Sequence, residues 1–180
     1  MENIKFKKGF TLIELLVVIS IIGILSAIMI PRIKEYIDRA QDARRIADIH
    51  GVQSTLELYQ NICRSYPQPD SPTTNCGCGG SQTGPVAWNT LSTILTQTDA
   101  SGKSCFGAQS IPDDPNALTT GSGHKDYEYG SDGSSYVLKA TLNLSNNPET
   151  RESETGTVFN INCGNPGTVG ATHPEYCIKF

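Results

Sequence analysis

The chain has 180 residues, 37% of them hydrophobic and 18% charged, with a formal net charge of −4. That length holds one ordinary domain plus an extension. The acidic balance lacks the electrostatic footprint of sequence-independent nucleic-acid binding.

The first element is set by an uneven spread of apolar residues: Ile and Leu crowd between Phe10 and Ile30. In "KFKKGFTLIELLVVISIIGILSAIMIPR" (Lys5 to Arg32) that run as a helix would be about 30 Å long, the thickness of a bilayer core. Lys5, Lys7 and Lys8 in front of it predict a cytoplasmic start with the remainder outside, although Arg32 and Lys34 beyond it weaken the asymmetry. The run is longer than the apolar part of a secretory signal. Glu14 interrupts it, and a central carboxylate costs about 2.5 kcal/mol or more in a span, less near an end. Such groups are usually paired, yet the span holds no basic side chain. A cut between Gly9 and Phe10 would create an α-amine one helical turn from Glu14. In a low-dielectric interior that pair would fix the register of packed helices. The simpler reading is a single-pass anchor whose Glu14 snorkels to the membrane surface.

These residues carry a resemblance. "KKGFTLIELLVVISIIGILSAIMIP" resembles the N-terminus of type IV pilins and of the major pseudopilins of type II secretion. The resemblance implies a basic leader removed after Gly9 by a prepilin peptidase and N-methylation of Phe10. It also implies a Glu14 that pairs with the terminal amine of an adjacent subunit during filament assembly. Gly23 and Pro31 match positions where the family's helix loosens, and they lower local helix stability by about 1 and 3 kcal/mol on propensity scales. Both are also ordinary in transmembrane helices.

Beyond Pro31 the apolar residues keep helical spacing. Ile33, Tyr36, Ile37 and Ala40 make one face, and Ile46, Ile49, Val52, Leu56 and Tyr59 continue a stripe. Lys34, Glu35, Asp38, Arg39, Asp42, Arg44, Arg45 and Asp48 lie between them and read individually as a solvated face. Intersubunit salt bridges are the functional alternative for the cluster. The helix should end near Ile62, and "SYPQPDSPTTNCGCGGSQTGP" reads as a loop. A short helix is expected in "AWNTLSTILTQ", with Trp88 in the core. "DYEYGSDGSSYVLKATL" reads as a hairpin around Ser-Asp-Gly, and "GTVFNINC" and "EYCIKF" as two further strands. The polar stretch "NLSNNPETRESETG" between strands reads as mobile, and Asn143 heads an N-x-S sequon.

All six cysteines, Cys63, Cys76, Cys78, Cys105, Cys163 and Cys177, lie beyond the apolar run, which suits an oxidising compartment. Cys163 with Cys177 is the one pairing expected, as a staple of the C-terminal strands. "NCGCGG" lacks the usual zinc-ligand spacing. Asp113, Asp114 and Asp132 cluster with hydroxyls. The pseudopilins that the chain is similar to carry a calcium in a comparable region, but the longer Gly- and Asp-rich loop is missing here. Turn chemistry is the favoured reading, and calcium the alternative. His50, His124 and His173 are scattered, and no catalytic motif is present.

The expected architecture is α+β, a long N-terminal helix on a small antiparallel sheet. Its parts are a leader over 1–9, a helix over 10–62 (apolar over 10–30, amphipathic over 31–62) and a disulfide-bonded head over 63–180. The expected function is a non-enzymatic filament subunit without a required cofactor, inserted once in the inner membrane with its head outside. It would meet membrane lipid first, then the prepilin peptidase, the inner-membrane assembly machinery and copies of itself. The alternative is a monomeric tethered module that binds a ligand or surface.

Overall fold

The structure is a computed structural model that describes residues 9–115, 127–145, 147–164 and 174–180, without the side chains of residues 28–32. Residues 1–8, His124, His173 and the side chain of Pro31 lie outside the described residues. Helix α1 runs Leu12–Cys63, and the chain divides into two compact units, Met1–Asp38 and Arg39–Phe180.

In the first unit the start of the helix, over residues 12–27, is apolar on every side apart from Glu14 and Ser20, and the large side chains there are exposed: Phe10 just before it at 89%, Ile13 at 70% and Leu25 at 56%. A single helix of this kind has no inside of its own to turn toward. Among the described residues no helix is long and apolar enough to cross a membrane.

The second unit is α+β. After α1 come β1 (Gly84–Val86), α2 (Trp88–Leu95), β2 (Glu128–Ser131), β3 (Tyr136–Thr141), a 3-10 turn (Pro148–Glu152), β4 (Thr157–Val158), β5 (Ile161–Asn162) and β6 (Glu175–Lys179). Strands β1, β2, β3 and β6 form one antiparallel sheet in that order. Its inner face carries Tyr129, Tyr136, Leu138, Ala140 and Tyr176, packed in one core with Ile49, Val52, Leu56 and Tyr59 of α1 and Leu91, Ile94 and Leu95 of α2. Trp88 is half-buried at its margin, with Nε1 donating to Pro112 O at 3.1 Å.

Two expectations change here. "GTVFNINC" is not one strand but two short ones, because Phe159 and Asn160 both take left-handed backbone (φ 48° and 62°) and turn the chain back. The outer face of the sheet is therefore covered, and Val137, Ile161, Cys163 and Cys177 form a second small core. Lys139 is buried as a result, donating to Asn162 O at 2.7 Å and pairing with Glu128 and Glu175 at 3.2 and 2.8 Å. The stretch read as mobile also has structure. Asn147 caps the 3-10 turn, and the Ser153 hydroxyl accepts from Cys177 N at 2.8 Å while Glu154 N donates to Cys177 O at 3.0 Å. The outward-facing backbone of β6 is satisfied by this passing segment.

The second layer depends on a missing side chain. A Cβ at Gly130 would sit 3.1 Å from Phe159 Cβ, Phe159 O and Ile161 Cγ1. Gly130→Val should therefore lift β4–β5 from the sheet and cost on the order of 1–3 kcal/mol. Thermal unfolding measures the loss, and amide exchange should quicken at Ile161 and Cys163.

Candidate functional site

Two polar clusters decide what the helix can do. The first is at its start, where the sequence reads Thr11-Leu12-Ile13-Glu14. Thr11 is the N-cap of α1, its carbonyl taking the first helical bond from Leu15 N. Glu14 N donates to Thr11 Oγ1 at 3.3 Å, while Thr11 N and Thr11 Oγ1 donate to Glu14 Oε2 at 2.8 and 2.7 Å. This is a reciprocal capping box, which satisfies first-turn donors that have no partner within the helix. It gives Glu14 a task inside its own chain, which the sequence reading missed although the T-x-x-E spacing is its signature. Gly9 and Phe10 are exposed beside it. Gly23 lies inside the helix with open space around its Cα, and α1 continues through Pro31.

The second cluster ties α1 into the head. Arg45 is fully buried and donates from Nε and Nη2 to the two carboxylate oxygens of Asp114, at 2.7 and 3.1 Å. Its Nη1 reaches Asp42 Oδ1 at 3.0 Å. Asp42 in turn accepts from Asn143 N at 2.8 Å and Leu144 N at 3.0 Å. Burial works against the charge on Arg45, but Asp114 and Asp42 outweigh it and hold its pKa above the ordinary value. Asp42 and Arg45 were expected on a solvated face. Instead they extend the buried stripe, at steps of three and four, into Ile49, Val52, Leu56 and Tyr59.

The acids considered for calcium are accounted for one by one. Asp114 faces Arg45. Asp132 accepts from Ser134 N and Ser135 N at 2.8 and 2.7 Å, bonds that hold its carboxyl below the usual range. Asp113 is exposed. Among the described residues no group of three or more His, Cys, Asp or Glu is placed to hold a metal ion. The sequon residue Asn143 spends its side-chain amide on Gln41 Oε1 at 2.9 Å. The cysteines are paired Cys63–Cys78, Cys76–Cys105 and Cys163–Cys177.

Residues 4–30 match the family model for the prokaryotic N-terminal methylation motif. A fimbrial protein of Pseudomonas aeruginosa is 45% identical over 53 residues, 29% of this chain and 34% of that protein. The type IV major fimbrial protein FimA of Dichelobacter nodosus is 47% identical over 51 residues, 28% of this chain and 33% of its own length. The N-terminal part of the chain is similar to that of type IV fimbrial proteins. A further fimbrial protein of Dichelobacter nodosus is 37% identical over 83 residues, 45% of this chain and 50% of that protein. The chain thus spans a third to a half of the length of these pilin relatives, and the first two likenesses are confined to stretches of 53 and 51 residues. No solved structure matches. The pilin relatives are named for fibres rather than for catalysis.

Proposed function

We propose that the chain is the subunit of a type IV pilus or a related pseudopilus, cut after Gly9, methylated on Phe10 and polymerised through the first part of α1. The observation that carries this reading is the capped, all-round apolar helix start with one acid in it. Before assembly the apolar surface rests in the inner-membrane lipid with the head outside. Afterwards it rests against equivalent helices, and because lipid is as apolar as a neighbouring helix, hydrophobicity alone does not select the packed state. Selection falls to Glu14. Its Oε2 takes both Thr11 donors, while among the described residues Oε1 takes no hydrogen bond. That oxygen is free to receive the α-amine that leader removal creates on a neighbouring subunit. A charge buried without that partner would be costly, so copies stack at one axial offset. The prepilin peptidase and the inner-membrane assembly machinery are the partners this route requires.

Shearing cells and sizing the released material tests the proposal. The chain should leave in high-molecular-mass filaments whose subunits begin at methylated Phe10. Release only as single molecules retaining residues 1–9 would overturn it in favour of a tethered binding module. Gly9→Leu should abolish leader removal and leave the full-length chain in the membrane fraction, read by intact mass. A product beginning at Phe10 from that variant would refute the assigned cut.

A further inference from the structure

The first two disulfides share one short stretch, "NCGCGG", and are unequally shielded. Cys63 closes α1 and is half-buried, while its partner Cys78 is exposed. Cys76 and Cys105 are both half-buried, and Cys163–Cys177 is fully buried. A dissolved thiolate therefore meets the Cys63–Cys78 bond first, since exchange requires access to a sulfur.

What surrounds Cys76 and Cys78 would hold them in place after that bond opens. Gln97 at the end of α2 is buried, and its side chain grips the loop twice. Its Oε1 accepts from Gly77 N at 3.2 Å, and its Nε2 donates to Pro72 O at 2.9 Å. The backbone carbonyl of the same residue accepts from Cys105 N at 2.8 Å. One glutamine thus fastens both the residue between Cys76 and Cys78 and the cysteine across from them, without using any sulfur. Cys76 also sits in left-handed backbone, at φ 52°, next to Asn75 at 60°. Non-glycine residues held in that region concentrate where local strain is used.

We infer that Cys76-Gly77-Cys78 is a thiol-exchange relay that carries an opening of the exposed Cys63–Cys78 bond inward to Cys105. A small dithiol, the named co-reactant, reduces Cys63–Cys78 to two thiols and leaves as its own cyclic disulfide. The Cys78 thiolate then attacks Cys76 Sγ, the Cys76–Cys105 bond breaks, and Cys105 leaves as a thiolate that takes up a proton. The products are a Cys76–Cys78 disulfide and free thiols on Cys63 and Cys105. The number of disulfides falls by one overall, matching the one dithiol oxidised. The end of α1 loses its covalent hold on the loop, and so does the segment after α2.

The test uses the full chain in detergent micelles with one equivalent of dithiothreitol, followed by acid quenching, alkylation and peptide mapping. Label on Cys63 and Cys105, with Cys76 and Cys78 joined within one peptide, is expected, and Cys163–Cys177 should stay intact. Label on Cys63 and Cys78 with Cys76–Cys105 unbroken would overturn the relay, as would label on Cys76 and Cys105 with Cys63–Cys78 unbroken. Cys63→Ser supplies a second reading without reductant. Its single thiol should be found mainly on Cys105, and a thiol that remains on Cys78 would equally refute the exchange.

Discussion

Arg45→Ala should destabilise the Arg39–Phe180 unit by about 3–5 kcal/mol, the usual cost of removing one partner from a buried ion pair. The cause is not the lost attraction but what it leaves: Asp42 and Asp114, buried and facing an empty space. For a unit of this size the melting temperature should fall on the order of 10 °C. Arg45→Met with Asp114→Leu should recover part of the loss. It removes one stranded carboxylate, while Asp42 keeps the Asn143 and Leu144 amides. Thermal unfolding monitored by circular dichroism distinguishes the cases. A drop of less than about 1 kcal/mol in Arg45→Ala would mean that water reaches the cluster and the ion pair carries little.

The second large effect concerns assembly, where two roles of one side chain must be separated. Glu14→Ala removes both the capping box and the proposed partner of the neighbour's amine, and filaments should be lost. Glu14→Gln keeps a group that can accept from Thr11 N, since glutamine serves in capping boxes, but it carries no charge. Sheared filament should still fall by roughly tenfold or more in Glu14→Gln, the factor that corresponds to about 1.4 kcal/mol of lost pairing. Thr11→Ala is the complement. It weakens the helix start by about 1 kcal/mol while leaving the carboxylate, so its filament yield should fall less than that of Glu14→Gln. Normal filaments from Glu14→Gln would show that capping is the whole task of this acid and would end the pairing model.

Much of the architecture was legible because its signals are local. The stripe from Ile49 to Tyr59 repeats at helical spacing, and the residues around Ser-Asp-Gly alternate as a hairpin must. What the sequence hid depends on contacts between distant segments. Asp42 and Arg45 obey the same three-and-four spacing as the core residues after them, but charge made them read as surface. Asp114 and the backbone amides of Asn143 and Leu144, all far along the chain, make their burial tolerable. Lys139 hid for a related reason, since its face of the sheet reads as wet until β4–β5 is laid over it. The split of "GTVFNINC" turned on left-handed backbone at a phenylalanine, which residue preference does not suggest. Thr11 is different, because its capping spacing was in plain view and was overshadowed by the question of what Glu14 does between molecules.

The sheet's two outer strands offer little to another sheet. Strand β1 is three residues long with Pro85 at its centre, a residue that has no N–H to donate, and the free side of β6 is already occupied by Ser153 and Glu154. Heads brought to very high local density can therefore lie side by side without stitching into a continuous ribbon. Contact among them is left to side chains and loops, which can diverge freely while the scaffold beneath stays resistant to clumping.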